Sequence, residues 1–149
     1  MTSQTARAPT PQPPILLRQT RGSIAVLTLN RPDARNSLSE GLIAELHAAL
    51  TDIHDDASVR AVVIAANGPA FSAGHDMKEL TARRTDADRG RGYFAEIMTA
   101  CSAMMQAIVQ LPKPVVTAAR NAGFSLQSGE SRPEGATPEI AQVSYLDSQ

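Results

Sequence analysis

A chain of 149 residues with 42% hydrophobic and 19% charged residues and a formal net charge of -1 has the profile of one globular domain, which excludes collagen, coiled coil and wholesale disorder. Its 14 Lys and Arg against 15 Asp and Glu provide no basic field for a phosphate backbone or an anionic lipid surface. Aromatic residues make up only 3%, with no Trp, so bases would find no stacking platform and the core must come from Leu, Ile, Val, Met and Ala.

The opening MTSQTARAPTPQPP is expected to be a disordered arm over residues 1–14. It has no apolar stretch of the secretory type. Arg7 without an acidic neighbour gives a faint likeness to an organelle transit peptide, but the prolines oppose the amphipathic helix such a peptide forms. No apolar run reaches the roughly 20 residues of a membrane-spanning helix. Cys101, the single cysteine, has no internal partner and sits at helical spacing among apolar residues, which reads as packing in a reducing, cytoplasmic setting.

Two strand-like runs follow, Ile15 to Thr20 and Ser23 to Leu29, and Arg21-Gly22 between them predicts a hairpin. Asn30 to Asn36 (NRPDARN) is a loop by its turn residues. Ser37-x-x-Glu40 resembles a capping box, and Leu42, Ile43, Leu46, Leu50 and Ile53 then recur at helical spacing until Asp55-Asp56 closes the element. Val59 to Ala65 is β-branched and nearly all apolar, the pattern of a strand buried on both faces. Asn67-Gly68-Pro69 breaks it, and FSAGHDMKEL runs through a glycine-containing loop into a short helix. The charged stretch Arg83 to Arg91 is expected to be a mobile surface loop. Phe94, Ile97, Met98, Cys101, Met104, Met105 and Ile108 recur every three or four residues and predict a long helix, its methionines read as core packing. Leu111-Pro112-Lys113-Pro114 ends that helix and Val115 to Ala118 begins a strand. The order ββαβααβ is an α/β plan. From Arg120 to Gln149 the composition turns polar, which predicts a poorly ordered tail with one short amphipathic piece from Ile140 to Leu146. No internal repeat is present.

Candidate chemistry is sparse. Ser72, His75 and Asp76 lie close together, but Ala70 stands where a nucleophile elbow requires glycine, and triad members normally come from separate elements. His47 and His54 are too widely spaced for two ligands of one ion on a helix. Neither Asn67-Gly68-Pro69 nor Ala73-Gly74-His75 fits a phosphate-binding glycine loop. The bend FSAGHDMKEL remains. Gly74 allows backbone N–H groups to point into a cavity, where they could hold a developing oxyanion. Judged from these residues alone, a tight strand-to-helix turn without a ligand is the stronger reading.

Three ordered segments change that balance: RGSIAVLTLNRPDARNSLSEGLIAEL, VRAVVIAANGPAFSAGHDMKEL and LPKPVV. Together, from Ile15 to Ala118, they resemble the crotonase superfamily, the enoyl-CoA hydratase/isomerase family. SAGHDMKELT and YFAEIMTACSAMM are similar in wording to its enoyl-CoA hydratase domain-containing protein 3 subgroup. The resemblance implies the N-terminal part of a crotonase-type ββα spiral fold over residues 15–119, usually assembled as trimers or hexamers. It implies action on acyl-CoA or enoyl-CoA thioesters in fatty acyl metabolism through an enolate. No cofactor is held permanently, and coenzyme A enters as part of the substrate. Nucleic acid and membrane are not expected partners.

Carried over by position, the backbone N–H of His75 is the first oxyanion donor, and its imidazole has no catalytic part. Ala73, Gly74, Asp76, Met77 and Lys78 are implied to line the coenzyme A nucleotide on one side, with Ala34 and Arg35 on the other. Arg35 suits a CoA phosphate. The resemblance stops after Ala119. There the family carries a glycine-rich second oxyanion donor and, further on, two catalytic glutamates. Gly123, Gly129, Glu130, Glu134 and Glu139 have no motif that assigns them these roles. A chain truncated or frame-changed at that point is expected to be catalytically incompetent in hydration, with a noncatalytic CoA-binding or assembly module, or a nonfunctional fragment, as the alternatives.

Overall fold

The computed structural model describes residues 13–119. The tail and its amphipathic piece, and all of the arm but Pro13 and Pro14, lie outside the described residues. Strand β1 (Leu16–Arg21) pairs antiparallel with β2 (Ile24–Leu29). Gly22 turns the hairpin at φ +60°, a left-handed conformation in which a side chain would be strained. Helix α1 (Glu40–Asp55) carries the chain to β3 (Ala61–Ala66), parallel to β2. Helices α2 (Met77–Ala82) and α3 (Arg91–Val109) then precede β4 (Val115–Ala118), parallel to β3. The sheet order is β1-β2-β3-β4. This is the α/β plan the sequence predicts.

One core joins these elements. Alternation along β2 turns Ala25, Leu27 and Leu29 inward, where they meet the α1 stripe of Leu42, Ile43, Leu46, Leu50 and Ile53. From α3, Ile97, Cys101 and Met104 complete the cluster, so the cysteine is packing material as expected. Lys113 then ties the entrance of β4 to α1, its Nζ donating to the carbonyls of Ile53 and Asp56 at the end of that helix.

Four local readings are corrected. The cap of α1 is Ser39 rather than Ser37: the Ser39 Oγ accepts from the Leu42 N–H at 3.2 Å, while Ser37 is drawn away to a distant carboxylate. Glu40 does not complete a capping box; its own N–H donates to Glu79 of α2 at 2.8 Å. Strand β3 is buried through Val62 and Ile64, whereas Ala61, Val63 and Ala65 between them are only half-buried, because among the described residues the helices build their core on one face. The α3 stripe is likewise only partly core. Phe94 and Met105 are each 52% exposed and Val109 is 58% exposed, since α1 covers the Ile97–Met104 side of the helix and leaves the rest open. Within the charged stretch, Arg83–Thr85 form a 3-10 turn, and Asp88 accepts the N–H groups of Gly90 and Gly92 at the start of α3. Those N–H groups hold the Asp88 carboxyl below its usual range.

Candidate functional site

Two loops far apart in the chain are hydrogen-bonded into one unit: residues 30–39 after β2 and residues 67–76 after β3. Asn36 is the first fastener. It is fully buried at φ +51°; its Oδ1 accepts the Arg31 N–H at 2.8 Å, and its Nδ2 donates to the carbonyls of Asn67 and Ala70, each at 2.8 Å. Asparagine tolerates this left-handed backbone better than most residues. The Ala73 N–H donates to the Arg35 carbonyl at 3.0 Å. Next comes a single parallel rung between Leu38 and His75, in which the Leu38 N–H donates to the Gly74 carbonyl at 2.7 Å and the Asp76 N–H donates to the Leu38 carbonyl at 3.0 Å.

That rung decides where the candidate amide points. The Gly74 carbonyl and the His75 N–H belong to one trans peptide, so they face opposite ways across its plane. With the carbonyl held by Leu38, the His75 N–H is directed away from Leu38, and no hydrogen bond among the described residues uses it. Gly74 sits at φ +85° with nothing within 4 Å of where a Cβ would be. The bend is thus open as well as left-handed.

Asp76 closes the unit. Its Oδ2 receives Arg31 Nη2 at 3.0 Å and the Ser37 hydroxyl at 3.2 Å, and its Oδ1 receives the Lys78 N–H at 3.0 Å as the cap of α2. Burial pushes this carboxyl up, but the three hydrogen bonds and the Arg31 charge outweigh burial and hold it below the usual carboxylate range. A depressed folded value means that the unfolded chain binds more protons in the window between the two values. The Asp76 contribution to stability is therefore fully present above the ordinary Asp value of about 4, and is lost as pH falls through the folded value. Urea midpoints measured from pH 5 down to pH 2 should fall more steeply for the native chain than for Asp76→Asn.

The residues named from the sequence are placed as follows. His75 is half-buried, with its Nε2 buried and without a hydrogen-bond partner among the described residues. Ser72, His75 and Asp76 form no triad, since Ser72 Oγ accepts from the Gly74 N–H and Asp76 faces Arg31. Ala34 is half-buried, Arg35 and Ala73 are exposed, and the Ala34–Arg35 corner lies beside Ala73 through the Ala73–Arg35 hydrogen bond. Met77 and Lys78 are exposed along a shallow groove with Thr81 and Ala82. A larger cavity of about 620 Å³ opens beside the same loops, with Leu38, Phe71 and Ser72 on one wall and Ile64, Ile108 and Val115 among its apolar lining. His54 Nδ1 lies 2.8 Å from Asp55 on the exposed end of α1, and His47 stands apart from it. Sequence reasoning missed Arg31, Asn36 and Ser37. The available signal was an asparagine in a loop rich in turn residues, but the two carbonyls that its amide serves lie more than 30 residues away in the chain.

Residues 19–129 match the enoyl-CoA hydratase/isomerase family, and the chain belongs to it. The match runs 10 residues past Ala119, where the resemblance read from the sequence stops, and those residues lie outside the described ones. The human protein named enoyl-CoA hydratase domain-containing protein 3, mitochondrial, is 37% identical over 103 residues, covering 69% of this chain and 32% of that protein. Its Xenopus laevis namesake is 35% identical over 103 residues, covering 69% and 33%. Among solved structures, an enoyl-CoA hydratase from Mycobacterium smegmatis is similar at a TM-score of 0.65 and 42% identity, covering 72% of this chain and 40% of that one. The crystal structure of the human domain-containing protein 3 gives 0.63 and 32%, covering 70% and 40%. This chain spans about a third of the length of the curated relatives. The fold is accordingly the N-terminal part of the crotonase architecture.

Proposed function

We propose that this chain binds acyl-CoA or enoyl-CoA thioesters and polarises the thioester carbonyl at the His75 N–H. The observation that carries the reading is the orientation of that N–H: unpaired among the described residues, fixed by its own peptide partner, and set on a loop that borders a largely apolar cavity able to take an acyl chain. A donor already in place where negative charge develops favours the enolate over the ground state, an effect on the order of 10² to 10³ in rate. On this reading Ala34, Arg35, Ala73, Gly74, Met77 and Lys78 border the nucleotide, with Arg35 and Lys78 as cations for phosphate. Asp76 contributes by shaping the loop. The domain comprises residues 15–119.

Hydration requires a water held between two carboxyl groups and a second oxyanion donor. No motif in this sequence assigns those groups, so the proposed activity of this chain is binding and polarisation without hydration. Coenzyme A enters with the substrate, and no resident cofactor is needed for this step. Several vertebrate relatives are named as mitochondrial, which favours that compartment over the cytoplasm. Trimers or hexamers, implied by the resemblance, are measured by sedimentation.

The test is infrared difference spectroscopy of crotonyl-CoA carrying a ¹³C label at the thioester carbonyl. Bound to the purified chain, that carbonyl should shift to lower frequency, and the thioether analogue lacking the oxygen should bind more weakly. Saturable binding of both compounds with equal affinity and no carbonyl shift would refute the reading.

A further inference from the structure

We propose that Arg31 is a positioning residue that holds the His75 peptide plane in register through Ser37 and Asp76. Its purpose rests on the reading of the His75 amide given above; its geometry does not. The Leu38–His75 pairing is one isolated rung, and the Ala73–Arg35 hydrogen bond and the Asn36 amide join the two loops only on its N-terminal side. Gly74 adds no steric restraint, having open space where a Cβ would lie. Hydrogen bonds alone therefore set the direction of the peptide.

Arg31 spans that rung from one side to the other. Nη1 donates to the Ser37 carbonyl at 2.6 Å and lies 3.3 Å from the Ser37 hydroxyl, while Nη2 donates to Asp76 Oδ2 at 3.0 Å. Ser37 and Asp76 are the residues immediately flanking the rung, one on each loop, so the planar guanidinium fixes their separation. Arg31 is itself anchored: its N–H is held by Asn36 Oδ1 at 2.8 Å, and its carbonyl accepts from the Ala34 and Asn36 N–H groups at 3.0 and 2.9 Å. Without the guanidinium, Asp76 keeps only the Ser37 hydroxyl and the Lys78 N–H as side-chain donors while remaining 8% exposed, and a carboxylate so placed moves toward water. That movement draws the Asp76 N–H off Leu38. The Gly74 carbonyl is then free to rotate, and the His75 N–H rotates with it. Lysine does not substitute, because one ammonium lacks the fork that serves Ser37 and Asp76 together.

The experiment uses the full ¹⁵N-labelled chain as wild type, Arg31→Lys and Arg31→Met. Amide hydrogen exchange is followed at Leu38 and Asp76, with Val62, whose N–H donates to the Pro114 carbonyl in the core, as the internal reference. Protection at Leu38 and Asp76 should fall at least about tenfold in Arg31→Lys and further in Arg31→Met while Val62 is unchanged. Unchanged protection at the rung, or loss in step with Val62, would overturn the proposal. Should Arg31→Met not fold, Arg31→Lys carries the test. The labelled thioester separates the two ideas. A carbonyl shift in wild type that Arg31→Lys reduces, at retained affinity for coenzyme A, supports both. A full shift kept in Arg31→Lys overturns the positioning role. No shift in wild type, with the exchange result as expected, removes the thioester reading and leaves Arg31 as the residue that sets the peptide.

Discussion

Replacing Asn36 with alanine should lower the unfolding free energy by about 3 kcal/mol or more, measured by urea denaturation at neutral pH and 25 °C. Three effects add. The Arg31 N–H and the carbonyls of Asn67 and Ala70 lose a partner that is itself without solvent exposure, in bonds that are part-buried, and each of these groups that water does not reach afterwards costs about 1–3 kcal/mol. Alanine also adopts the φ of +51° less readily than asparagine. The third effect is loss of the seam between the β2 and β3 loops, which should raise the exchange rate of the Ala73 N–H bonded to Arg35. A change below about 1 kcal/mol would mean that water reaches all three groups.

Leu27→Ala should cost about 2–5 kcal/mol, out of the roughly 5–15 kcal/mol that ordinarily separates folded from unfolded domains. Leu27 is fully buried at the middle of β2, in register with Arg18 of β1 on one side and Ile64 of β3 on the other. Removal of its side chain leaves a cavity facing α1 that neighbours on two strands cannot fill. Met105→Ala is the matched control on the α3 stripe. At 52% exposure Met105 has little buried surface to lose, and the change should stay within about 0.5 kcal/mol. Equal losses at the two positions, by calorimetry or urea midpoint, would mean that α3 has a partner the described residues do not show.

This contrast marks how far the sequence could be read. Hydrophobic period located β2, α1, β3 and α3, because each buries a repeating set of its own residues, whereas β1 and β4 bury no residue fully and were legible from their apolar runs beside turn and proline residues. The same period could not say how much of each apolar face finds a neighbour. Phe94 and Met105 carry the same signal as Ile97 and Met104, yet among the described residues they stay half exposed because α1 packs on the other side of the helix. Caps failed for a related reason. Ser37 and Ser39 are equivalent as local candidates, and the choice is made by Asp76, which engages the Ser37 hydroxyl from the other loop.

The candidate site divides in the same way. Gly74 was legible as the glycine of a bend that can turn backbone N–H groups into a cavity, and the resemblance directed attention to the His75 amide. Whether that amide is free depends on Leu38, which no pattern within FSAGHD mentions. Arg31 looked like one more charge in a turn; only the fold brings it to Asp76.

The strand order also sets the tempo of assembly. β1 and β2 join across a two-residue bend and can zip within microseconds, whereas Ile24 must find Ala61 and Val62 must find Val115 across whole helical crossovers. Closing such wide loops before any contact repays the lost entropy places this sheet among slower, millisecond-scale folders. The hairpin, a pairing that needs no crossover, is thereby the edge expected to form first, with both crossover pairings after it.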